Sequence, residues 1–167
     1  MKRLAMCAVL AVVLTAGCAS FDGSGLVPGK SSAAEVEALM GPVAERLSLP
    51  NGDTVLYFSR LPAGRAVYAV TLGADGVMKT VEQRLTQQHM AKIRPGTWTK
   101  KEVRELLGPP GLAGRLALKQ HEWWEYKYRE YPDYQYRVLW VQFSDDGVVR
   151  EVLDMLDPEF VRAAGAR

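Results

Sequence analysis

The chain has 167 residues, 48% of them hydrophobic and 24% charged, which excludes a disordered, collagenous or multi-span membrane protein. The formal charge is +2, but the excess is Lys2 and Arg3. Without these two, 19 basic residues face 19 acidic ones, which leaves no net basic face of the kind nucleic acid requires. Cys7 and Cys18 are the two cysteines, so nothing beyond the N-terminus can form an internal disulfide.

The chain opens with Met1-Lys2-Arg3, an apolar run from Leu4 to Leu14, and Thr15-Ala16-Gly17 before Cys18. A positive start, a short apolar stretch and small residues before a cut site describe a secretory signal over residues 1–17. Eleven residues of helix would rise about 16 Å against a hydrocarbon core of roughly 30 Å, too short to span it. Leu14-Thr15-Ala16-Gly17-Cys18 resembles the lipobox of bacterial lipoproteins, with Leu four residues before the Cys instead of three. The resemblance implies that Cys18 is acylated and becomes the new N-terminus. Ala19, in place of Asp, implies sorting to the outer membrane. Each buried methylene contributes about 0.8 kcal/mol, and two or more acyl chains hold where one is marginal. Residues 18–27 are then the lipidated Cys and a short Gly-containing tether.

The body is written twice. Pro28-Gly29-Lys30-Ser31-Ser32-Ala33-Ala34-Glu35-Val36-Glu37-Ala38-Leu39-Met40-Gly41-Pro42 aligns without a gap, 67 residues on, with Pro95-Gly96-Thr97-Trp98-Thr99-Lys100-Lys101-Glu102-Val103-Arg104-Glu105-Leu106-Leu107-Gly108-Pro109. Tyr57 and Arg60 match Tyr126 and Arg129 at an offset of 69. Val70, Leu72 and Asp75-Gly76-Val77 match Val141, Phe143 and Asp146-Gly147-Val148 at an offset of 71. The drift predicts two small insertions in loops of the second copy.

Each copy has a legible local plan. Ser32-x-x-Glu35 and Thr99-x-x-Glu102 are capping boxes. Val36, Leu39 and Met40, like Val103, Leu106 and Leu107, give one apolar stripe per helix. Gly41-Pro42 and Gly108-Pro109 stop these helices, with glycine free to take a left-handed conformation. Strands follow over 54–59, 66–72 and 77–81, and again over 122–130, 134–143 and 148–153, with Asp75-Gly76 and Asp146-Gly147 as hairpin turns. Residues 85–93 read as a further short helix, and Pro158 starts a last one. The predicted fold class is α+β, two tandem copies of short helix plus three-stranded antiparallel meander. The repeats span residues 28–84 and 85–157, and residues 158–167 form a helical tail.

Ile93-Arg94, Gly96, Thr99, Glu102-Val103, Leu106-Leu107-Gly108-x-Pro110, Trp124-x-Tyr126-x-x-Arg129 and Val141-x-Phe143-x-x-x-Gly147-Val148 resemble the BamE (SmpA/OmlA) family. These are small outer-membrane lipoproteins of the β-barrel assembly machinery. The resemblance covers residues 86–154 well and 28–81 more weakly. It implies a helix-plus-meander fold, a periplasm-facing outer-membrane location, and envelope or barrel-assembly proteins as partners. The chain departs from the family in having two copies and one extra residue between Gly96 and Thr99. Tandem copies of this unit resemble the β-lactamase inhibitor (BLIP) fold, which implies an alternative role as inhibitor or sensor of a periplasmic hydrolase. That alternative predicts a concave sheet lined by aromatics from both copies.

No residue set in the sequence supports catalysis, a cofactor or a small-molecule substrate. His89 and His121 lack partners at metal-ligand spacing, and Asp145-Asp146-Gly147 lacks the other oxygen ligands of a calcium loop. What stands out is aromatic: Trp123, Trp124, Tyr126, Tyr128, Tyr131, Tyr134, Tyr136 and Trp140 fall within eighteen residues. Alternation puts Trp124, Tyr126 and Tyr128 on one face and Glu125, Lys127 and Arg129 on the other. That aromatic face is either core or an interface, since Tyr, Trp and Arg dominate binding hot spots and also suit a lipid headgroup boundary. The candidate contact residues are Trp98 (expected as an exposed ring), Trp124, Tyr126 and Arg129. Arg129 could meet a carboxylate or an anionic phospholipid phosphate. The expected function is therefore a non-enzymatic lipoprotein, anchored at Cys18, that binds envelope proteins.

Overall fold

A computed structural model describes residues 21–116 and 121–165. The signal, Cys18 and the start of the tether lie outside the described residues. Helix α1 (Ala33–Met40) precedes β1 (Glu45–Ser48), β2 (Thr54–Ser59), β3 (Val67–Leu72) and β4 (Met78–Gln83). A one-turn α2 (Gln87–Met90) leads to α3 (Lys100–Leu107), then β5 (Leu112–Arg115), β6 (Glu122–Arg129), β7 (Tyr136–Phe143), β8 (Val149–Leu156) and α4 (Pro158–Gly165).

Both capping boxes form. The Ser32 amide donates to Glu35 Oε2 at 2.7 Å, and the Thr99 amide donates to Glu102 Oε2 at 2.7 Å. These bonds hold both carboxyls below the ordinary carboxylate range, and each cap contributes about 1 kcal/mol to its helix. The stop glycines depart from expectation. Gly41 (φ 87, ψ −157) and Gly108 (φ 79, ψ −167) lie in the extended positive-φ region, not the left-handed helical one, and that region is essentially closed to other residues.

The architecture is the expected tandem α+β, with a difference in strand count. Each half is a four-stranded antiparallel sheet, ordered β1-β2-β3-β4 and β5-β6-β7-β8. The additional strands β1 and β5 have four residues each and no strong β pattern; pairing to β2 and β6 defines them. The two sheets remain separate, so the repeats do not share one concave surface.

Matching hydrogen bonds trace the duplication in the backbone. The Gly29 amide donates to the Met78 carbonyl and the Gly96 amide to the Val149 carbonyl, both at 2.8 Å. Ladder irregularities fall at Thr71/Leu72 and at Gln142/Phe143, again 71 residues apart. The ladders also correct one sequence match. Leu56 pairs with Val70, and Trp124 pairs with Val141. Phe58 is therefore the counterpart of Tyr126, at an offset of 68, and Tyr57 is the counterpart of Glu125. A slip of one residue reverses the face of the sheet, so Tyr57 and Tyr126 are not equivalent.

Two cores result. Val36 and Met40 of α1 pack on Leu56, Phe58, Val70, Leu72 and Met78. The larger core puts Val103 and Leu107 of α3 against Trp124, Tyr126 and Val141 on one side and Val55, Tyr57 and Val67 on the other. The layers run α1, first sheet, α3, second sheet. The first sheet is thus covered on both faces, and β2 is buried along its four central residues.

Candidate functional surface

Tyr57 and Tyr126 converge on the end of α3 from opposite sheets. Tyr57 Oη donates to the Glu105 carbonyl at 2.6 Å, and Tyr126 Oη donates to the Gly108 carbonyl at 3.1 Å. A helix C-terminus leaves carbonyls unpaired, and burial would make that costly. The two hydroxyls satisfy them, and burial pushes both phenols above the ordinary value, Tyr126 the further. A Cβ on Gly108 would lie 2.8 Å from Tyr57 Cδ1 and 2.9 Å from Val67 Cγ1. This is a structural seam between the repeats.

Of the candidate contact residues, the described structure keeps Arg129 at the surface. Tyr126 is 0% exposed and Trp124 6%. Trp124 Nε1 donates to Glu122 Oε1 at 2.8 Å, and its ring meets Phe143 edge-on at 4.8 Å. Both are core residues, because they line the sheet face that α3 covers. Trp98 is half-buried against the same core, not the exposed ring expected. Cys18 lies outside the described residues. Arg129 is exposed and sits over the Tyr136 ring at 4.9 Å and near the Tyr134 ring at 6.0 Å. Glu125 is engaged by Trp140 Nε1 at 2.7 Å, and Glu130 pairs with Arg137 at 3.2 Å.

Arg129 belongs to an aromatic end of the molecule that alternation did not reveal. Tyr131 is 69% exposed and Tyr134 56%, and their rings pack 4.7 Å apart. Tyr136 packs on Phe160 of α4 at 4.6 Å. Arg65, from the β2–β3 connection of the first repeat, lies over the other side of this cluster, 4.6 Å from the Tyr136 ring. Its Nη2 is 2.6 Å from the buried Asp157 carboxylate, off the direction of a good hydrogen bond. The sequence signal was present in Tyr131 and Tyr134, but only the turn shows that they escape the core.

Two grooves flank α2. One, of about 160 Å³, lies between Gln83–Gln87 and Tyr128–Tyr131; the other, of about 370 Å³, has Met90, Leu139 and Val152 as its apolar floor. Between them Tyr128 Oη donates to Asp154 at 2.8 Å, and Arg137 Nε reaches the same carboxylate at 3.0 Å. Burial, then Asp154, pushes the Tyr128 phenol up, so it stays neutral and donates. His89 Nδ1 contacts Thr86 Oγ1 at 3.1 Å, and burial lowers its proton affinity. Among the described residues no His, Cys, Asp and Glu group is placed to hold a metal.

The family description "Outer membrane protein assembly factor BamE domain" matches residues 83–152. The second repeat matches the BamE domain. The BamE match runs from the last residue of β4 through α2, α3 and β5–β7 into β8, and so contains the seam tyrosine Tyr126 and the surface Arg129. No curated protein matches the chain. A solved structure of a DUF4309 family protein (YjgB) from Bacillus subtilis subsp. subtilis str. 168 is similar over 80% of this chain and 83% of its own, at 16% identity and a TM-score of 0.30.

Proposed function

We propose that this protein is a non-enzymatic lipoprotein of the outer membrane, acylated at Cys18 and facing the periplasm, that binds protein partners in outer-membrane protein assembly. The observation that carries this reading is the BamE match over residues 83–152. The Leu14–Cys18 motif supports the anchor, and no described helix is long and apolar enough to cross a membrane. Arg129 is the candidate contact residue that stands at the surface. Its guanidinium, held by the aromatic rings, offers a planar donor pair to a partner carboxylate.

Affinity isolation of the tagged chain from detergent-solubilised outer membranes tests this. Barrel-assembly components should come down with it, and Arg129→Ala should weaken their recovery. Their absence, together with unchanged porin levels after deletion of the gene, would refute an assembly role.

A further inference from the structure

The first described residue of the tether sits at the aromatic end. The Phe21 ring lies under the Arg60 guanidinium, 3.2 Å from Cζ to the ring centroid. Arg60 opens the β2–β3 connection, whose Arg65 reaches Asp157 and the Tyr136 ring. Tyr136 in turn touches Arg129 and Phe160. Tyr131 shares a groove with Gln83, the ladder partner of Tyr68. Phe21 is three residues after Cys18, a reach of at most about 11 Å. An acyl chain on Cys18 would therefore begin beside this end of the protein.

The surface at this end suits such a neighbour. Five of the seven exposed large apolar residues among those described gather here: Tyr131, Tyr134, Leu156, Phe160 and Val161. Arg60, Arg129 and Arg162 are exposed around them, with Asp133 in the turn and Glu159 on α4, paired with Lys127, as acidic residues. The hairpin turns at the opposite end present Asp75, Asp145 and Asp146 and no large apolar side chain. Tyr and Phe rings with arginine at the rim favour the headgroup depth of a bilayer. A helix exposing Phe160 and Val161 can lie in that plane.

We propose that this arginine-rimmed aromatic end sits in the headgroup layer of the same bilayer that holds the anchor, fixing which way the two repeats point. The inference rests on the acylation of Cys18 proposed above. It leaves the acidic turns directed away from the membrane and Arg129 at headgroup depth, where a partner held in the same membrane can meet it.

A single-thiol probe tests it, because signal cleavage removes Cys7 and acylation consumes the Cys18 thiol. Acylated protein carrying Asp133→Cys or Asp145→Cys, labelled with an environment-sensitive fluorophore, is reconstituted into vesicles of phosphatidylethanolamine and phosphatidylglycerol. The probe at 133 should emit to the blue and be quenched by headgroup-labelled lipid, while the probe at 145 stays aqueous. Adding Tyr131→Ala and Phe160→Ala should return the probe at 133 toward water while the probe at 145 is unchanged, with thermal unfolding followed alongside to show that the variant is folded. A water-like probe at 133 on protein that mass spectrometry shows to be acylated overturns the proposal, leaves the anchor standing, and assigns this end to a protein partner. Equal quenching at both positions also overturns it. An unacylated product removes the anchor reading and this inference with it.

Discussion

Val55, Tyr57, Val67 and Ala69 on the first sheet are buried under α3. Their ladder counterparts on the second sheet are Trp123, Glu125, Val138 and Trp140, and among the described residues no helix equivalent to α3 covers them. In its place the second sheet supplies its own cover. Trp123 and Trp140 stack at 5.6 Å and 26°, and a Cβ on Gly114 would lie 2.7 Å from the Trp123 ring. Helix α4 closes the end, tied by Lys127 to Glu159 at 2.6 Å. The same backbone plan thus yields a docking face in one copy and a tryptophan-covered face in the other. The exposed aromatics Tyr131, Tyr134 and Phe160 all lie in the second half of the chain.

The largest effect that would sharpen this contrast is at the stop glycines. Gly108→Ala forces both a closed backbone region and a clash with Tyr57 and Val67, and should cost about 3 kcal/mol or more. Gly41→Ala meets only Phe21 at 3.6 Å and should cost about 1–2 kcal/mol, from backbone strain alone. Urea unfolding of the two variants would measure the difference. Equal losses would mean that the seam between the repeats is looser than its geometry.

Next in size is the Arg65–Asp157 tie between the two halves. Burial raises the Asp157 carboxyl, but Arg65 and the Glu159 amide outweigh it, so the group stays below the ordinary range. Its contribution is therefore present above the unfolded value of about 4 and is lost as pH falls through the lower folded value. Asp157→Asn should cost about 2 kcal/mol at pH 7, and should cost less below pH 4. Melting curves over that pH range check the sign: a loss that grew on acidification would rule out the ion pair as its cause.

The smallest expected effect separates the tyrosines. Tyr57→Phe and Tyr126→Phe each remove one hydroxyl from a carbonyl at the end of α3, and each should cost about 1 kcal/mol. Because both act on one helix end, the double variant should deviate from the sum, and denaturation of the pair and the singles reads that coupling. Strict additivity would show that the two sheets grip α3 independently.

Much of this was legible in the residues. Capping boxes, stop glycines, Asp-Gly turns and the burial alternation of Trp124, Tyr126 and Tyr128 are local signals, set by hydrogen bonds and periodicity within a few positions. The strands β1 and β5 were not legible, because four residues without alternation become strand only when a neighbour offers a ladder. The candidate site was half legible. Arg129 stands at the surface, whereas Trp124, Tyr126 and Trp98 pack inward, since composition reports an excess of aromatics but not which face α3 covers.

The sequence by itself determined the duplication and its α+β units, because each unit is built from contacts close along the chain. Only the tertiary structure decided that Tyr57 and Tyr126 meet across one helix instead of being copies of each other, since side-chain direction in a strand depends on register. It also decided that Phe21, the first described residue of the tether, lies at the end that carries the exposed rings, since Arg60 sits over Phe21 and Arg65 of the same connection reaches Tyr136 and Asp157, 71 and 92 positions further on.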